Sequence, residues 1–133
     1  MSARLTLLCA ALGGALAVML GAFAAHALRD ALAPRMLEVF QTGVTYQFYH
    51  VLALFGVGLL QQRRDRRALR LGGGLLVLGM LLFCGSLYTL ALTGVHYFGI
   101  ITPIGGVSLI AGWLALAYAV AGKVKQDADT GER

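Results

Sequence analysis

Tyr46, Gln47 and His50 lie in an apolar run of the chain, at a spacing that puts all three on one face of a helix. An imidazole in such a setting can relay protons or hold a polar ligand headgroup, because its charge changes near neutral pH. Ser86, Tyr88 and Thr89 in a second apolar run, and Thr102 at the head of a third, bring hydroxyls to a similar level. His26 ends the first apolar run, and His96 falls in the loop before the last one. Ionisable groups within apolar spans tend to face a bundle interior, which makes His50 the leading candidate for function. The competing reading, favoured on these residues, is a neutral imidazole hydrogen-bonded between helices to hold two spans in register.

Other chemistry finds no support in the sequence. GxSxG, HExxH and a phosphate-binding glycine loop are all missing, as is the CxxCH of haem attachment. The apolar runs contain no Asp or Glu, the residues of a carboxylate proton relay. His26, His50 and His96 form no HxH or HxxxH ligand pair, so no metal site and no cofactor is expected. Cys9 and Cys84 have no CxxC neighbour and read as small packing residues. No enzymatic activity is expected.

The elements that must position the polar residues follow from composition. The chain has 133 residues, of which 59% are hydrophobic and 13% charged, with a mean hydropathy of +0.77. A helix needs about 20 mostly apolar residues to cross about 30 Å of hydrocarbon. Four stretches qualify, at about 5–27, 44–60, 71–92 and 101–121. In lipid, backbone groups must bond within the segment, so such stretches become helices. The expected fold is an all-α integral membrane four-helix bundle, a single domain over 1–133 with a tail at 122–133. The start of the chain resembles a secretory signal, with Arg4, an apolar run and Ala25-His26-Ala27. That run is longer than a signal core and three spans follow it, so a retained first span is expected.

A net charge of +5 could indicate a nucleic-acid partner, but its distribution excludes one. Arg63, Arg64, Arg66, Arg67 and Arg70 crowd the gap between spans two and three. With Arg4, Lys123, Lys125 and Arg133 they fall on one side of a four-span arrangement, leaving Arg29 and Arg35 on the other. Basic residues collect in cytoplasmic loops, so both termini and the arginine loop are expected inside, N-in and C-in. A second role for this loop is attraction to anionic lipid headgroups. The polar residues then lie toward the outer face.

Small residues recur at helical spacing. Ala17, Gly21 and Ala25 follow Ala10 and Gly14 in span one, and Gly105, Ser108 and Gly112 mark span four. Such stripes let helix backbones approach closely, either within the bundle or in a homo-oligomer. The segment 28–43 is amphipathic, and Pro34 suits a first helical turn; it is expected to form a short interfacial helix ahead of span two. Thr102 and Pro103 read as the N-cap and first residue of span four. Trp113 lies inside that span as a packing residue.

The chain resembles the YgdD-like family of small bacterial inner-membrane proteins, which have animal relatives and are classed as a domain of unknown function. The resemblance rests on Gly21-Ala22-Phe23-Ala24-Ala25-His26-Ala27-Leu28, Thr42-Gly43-Val44-Thr45-Tyr46-Gln47-Phe48-Tyr49-His50, Gly85-Ser86-Leu87-Tyr88, and Ile101-Thr102-Pro103-Ile104-Gly105-Gly106 followed by Gly112-Trp113. Ala24 departs from the Gly expected there, which bears on packing alone. The resemblance implies a retained four-span protein and singles out His26, Tyr46, Gln47, His50, Ser86, Tyr88, Thr102 and Pro103. It implies no reaction or ligand. The sequence reading is therefore a membrane protein that acts by association with itself, with lipid or with a membrane-protein partner. The alternative is a small carrier or channel built around His50.

Overall fold

A computed structural model of the chain describes residues 1–64 and 66–130, with side chains through residue 121. Of the expected tail at 122–133, residues 122–130 continue the last helix, while 131–133 lie outside the described residues, as does Asp65 in the arginine loop. Among the described residues the structure is entirely helical: α1 (Ala3–Ala25), α2 (Pro34–Arg63), α3 (Arg67–Thr93) and α4 (Phe98–Thr130). All four are long and apolar enough to cross a membrane. The short links at 64–66 and 94–97 force neighbouring helices to run in opposite directions. Met1, Leu69 and Ala119 meet at one end: Gln61 Nε2 donates to the Met1 and Leu69 carbonyls at 3.4 and 3.2 Å, and Arg66 Nη1 donates to the Ala119 carbonyl at 3.2 Å.

Helices adjacent in sequence pack against each other, with α2 and α3 as the central pair. All four contribute to one core of Ala10, Leu54, Val57, Leu76 and Leu109. A second core of Ala24, Leu28, Phe40, Val44 and Ala91 closes the other end. The burial pattern is that of a protein solvated by lipid. Leu8, Leu12, Leu52, Leu81, Ile110 and Leu114 are exposed, while Thr6, Gln47, Gln61 and Ser86 are buried. Lipid offers no hydrophobic drive to bury leucine, so close backbone approach and interhelical hydrogen bonds hold the helices together.

The α3–α4 contact shows this most plainly. A Cβ on Gly79 would lie 2.9 Å from the Leu109 backbone nitrogen, and one on Gly112 would lie 3.2 Å from that of Leu76. A Cβ on Gly105 would run into the Leu82 and Phe83 backbone. Ser108 Oγ donates across the same seam to the Leu75 carbonyl at 2.9 Å. Gly21 in α1 faces Val44 in α2, and Ala17 is completely buried. Gly14 and Gly106 lie 3.9 and 3.8 Å from their nearest neighbours at the Cβ position, and Gly85 has nothing within 4 Å there.

Two sequence expectations about helix boundaries are corrected. No separate interfacial helix precedes span two, because Pro34 opens a helix that continues unbroken to Arg63. Gly43, at the expected junction, is buried with its Cα face against the Tyr88 ring, and Thr42 Oγ1 donates back to the Glu38 carbonyl at 2.8 Å. With neither a proline nor an unpaired backbone turn there, the helix has no reason to stop. Span four likewise begins earlier than expected. Phe98, Gly99 and Ile100 open α4 with bonds to carbonyls three residues back, which puts Pro103 inside the helix. The carbonyl its ring crowds belongs to Gly99, close to the helix start, where the disruption is least felt. Thr102 is therefore a residue of the helix body, free to bond sideways.

Candidate functional site

The polar residues of the middle spans assemble into three contacts. In the first, Tyr88 Oη donates to Gln47 Oε1 at 2.9 Å, and Gln47 Nε2 donates to the Gly13 carbonyl at 2.8 Å. This chain of bonds joins α3, α2 and α1. In the second, the Ser86 and Thr102 hydroxyls share a 2.8 Å hydrogen bond between α3 and α4, and Ser86 also donates to the Phe83 carbonyl at 2.9 Å. Interhelical bonds of this kind contribute about 0.6 kcal/mol on average within membranes.

The third contact centres on His50, which is buried. Its Nδ1 lies 2.6 Å from the Tyr46 carbonyl, one turn back on the same helix. A carbonyl only accepts, so Nδ1 carries the proton and donates. The Tyr46 ring stacks on the His50 ring at 6.0 Å and on Phe83 at 4.7 Å, and Trp113 meets His50 edge-on at 6.2 Å. His50 thus sits on α2 against Trp113 of α4, bonded to its own helix. Because α2 starts at Pro34, the imidazole is about 24 Å along the helix from that end, against roughly 9 Å for a helix starting at Val44.

The histidines do not converge. His26 caps α1, its backbone N–H bonded to the Ala22 carbonyl, and both His26 and His96 are exposed. Among the described residues, no three His, Cys, Asp or Glu side chains form a metal-binding group.

Beside the Gln47–Tyr88 pair opens a cavity that sequence reading did not anticipate. It is a groove of about 350 Å³ between α1 and α3, with Leu12 and Leu16 on one wall, Leu81 and Gly85 on the other, and Gln47 and Tyr88 at its floor. It exists because α1 packs on α2 rather than on α3 along this stretch, and because Gly85 puts no side chain into the gap. Gly13 takes part through its carbonyl, which no side-chain pattern could signal. A second missed residue is Gln61 at the arginine end. Its amide nitrogen ties the starts of α1 and α3 while its buried Oε1 has no partner.

The fold and the placement of its polar groups define a multi-pass membrane protein with an apolar exterior and a few buried interhelical bonds. The family model described as a protein of unknown function (DUF423) matches residues 20–106. A UPF0382 membrane protein of Staphylococcus epidermidis is 45% identical over 109 residues, covering 82% of this chain and 88% of its own. The UPF0382 inner membrane protein YgdD of Escherichia coli K12 is 42% identical over 113 residues, covering 85% and 86%. The UPF0382 membrane protein YwdK of Bacillus subtilis is 41% identical over 110 residues, covering 82% and 89%. The chain belongs to this DUF423 (UPF0382, YgdD-like) family of inner-membrane proteins. No solved structure matches it.

Proposed function

We propose that the protein is non-enzymatic and works by association, holding a lipid-class molecule in the groove between α1 and α3. One observation carries the reading: an open groove with almost wholly apolar walls has Gln47 and Tyr88 among the residues that line it. At about 350 Å³ it falls within the roughly 300–1,000 Å³ of small-molecule sites. Gln47 keeps a second amide N–H, and the Tyr88 oxygen keeps acceptor capacity beyond the bonds they make. An apolar chain bearing one hydroxyl, ester or carbonyl group matches this arrangement. Small residues that would otherwise serve a helix–helix dimer are largely spent inside the bundle, which favours lipid over a second copy. The carrier alternative draws less support, since His50 bonds its own helix and does not line the groove.

The arginine excess in 61–70 supports a topology with this loop and both termini in the cytoplasm, and the polar floor then lies beyond it toward the outer leaflet. The groove is tested with Gly85→Leu, whose side chain enters open space and fills it. Native mass spectrometry of the wild-type chain released from membranes should show a retained lipid-class adduct. The variant should fold with unchanged thermal stability and lose that adduct. Equal retention by the two would refute the proposal.

A further inference from the structure

We propose that the arginine end of the bundle holds the phosphate of an anionic phospholipid, in a cavity separate from the α1–α3 groove. The cavity measures about 360 Å³ and is lined by Arg63, Arg64 and Arg66 together with Leu60, Leu69 and Val120. Arg63 ends α2, and the residues flanking the link are extended: Arg64 at φ −149° and ψ 109°, Arg66 at φ −94° and ψ 141°. Arg63, Arg64 and Arg66 all line this one hollow.

Arg66 is anchored, its Nη1 donating to the Ala119 carbonyl at 3.2 Å. The anchor fixes one guanidinium against α4 and leaves further N–H donors on the same group. Arg63 and Arg64 make no ion pair among the described residues. The planar fork of arginine matches phosphate oxygens in pairs. The start of α3 adds the positive end of its helix dipole. Leu60 and Val120, both exposed, continue the wall with apolar surface on which acyl chains can lie as they leave a phosphate. A charged rim above an apolar wall fits an intact phospholipid better than a soluble phosphate.

The test uses the full chain in mixed micelles and native mass spectrometry, with phosphatidylglycerol and phosphatidylcholine of identical acyl chains. Wild type should retain phosphatidylglycerol in preference. Arg63→Gln, Arg64→Gln and Arg66→Gln should each weaken that retention by about fivefold. Arg67→Gln removes the same charge from an exposed position outside the cavity wall and should leave it unchanged. Arg64 is exposed and its side chain makes no hydrogen bond among the described residues, so its variant reports on binding even if loss of the Ala119 bond unfolds Arg66→Gln. The proposal is overturned if both lipids are retained alike, or if all four variants weaken retention equally, as a diffuse field would. It is overturned too if glycerol phosphate displaces the lipid as effectively as phosphatidylglycerol does.

Discussion

Tyr88 and Gln47 face each other across the central helix pair, with the phenolic hydroxyl donating to the amide oxygen at 2.9 Å. The amide nitrogen then passes the connection on to the Gly13 carbonyl, so one side chain in α2 is bonded to both of its neighbouring helices. Gln47 is buried in apolar surroundings, where an unmade bond is costly. The pair fixes where α1 and α3 stand relative to α2, and with it the width of the groove between them.

Removing the hydroxyl should therefore destabilise through the glutamine left behind. Tyr88→Phe is expected to cost about 1–2 kcal/mol, measured by denaturant titration in detergent. In a Gln47→Leu background the same change should cost close to nothing, since no acceptor remains to be orphaned. Equal costs in both backgrounds would show that the pair is not coupled.

The α3–α4 seam predicts a contrast between two glycines. A methyl at Gly105 would press on the Leu82 and Phe83 backbone, which cannot move aside as a side chain would. Gly105→Ala should cost about 1–3 kcal/mol. Gly74→Ala, at a position with nothing within 4 Å, should be neutral or slightly stabilising because alanine is the better helix former. Thermal unfolding of the two variants side by side checks this ordering.

His50 should behave as a packing residue of its own helix. His50→Phe keeps a ring against Tyr46 and Trp113 and gives up one bond to the Tyr46 carbonyl. The expected loss is about 1 kcal/mol, with lipid retention intact. A carrier that depended on the imidazole would instead lose proton or solute flux in vesicles while remaining folded.

Much of this arrangement was legible in the sequence, for identifiable reasons. Four apolar runs had to become helices once lipid was the solvent, and the polar residues within them had few places to go but inward. Ser86 with Thr102, and Gln47 with Tyr88, are pairs the structure adds, since the sequence marked the residues and not their partners. The boundaries of α2 and α4 were harder to place. Polar residues after Pro34 looked like an interface segment, yet nothing in the backbone breaks the helix. Pro103 resembled a start signal although one turn of helix precedes it. His26 shared a residue type with His50 but ended on an exposed cap, because identity does not encode tertiary position. The groove was invisible because it arises from the path of α1 and from the lack of a side chain at Gly85, and a backbone carbonyl at Gly13 leaves no mark in a sequence.

The most direct test of the lipid-holding groove is site mapping with a photoactivatable, hydroxyl-bearing lipid probe in membranes containing the full chain. Peptide analysis should find the label concentrated on Leu12, Leu81 and Gly85, and Gly85→Leu should abolish it. Labelling spread evenly over exposed Leu52, Ile110 and Leu114, and unchanged in the variant, would contradict the account.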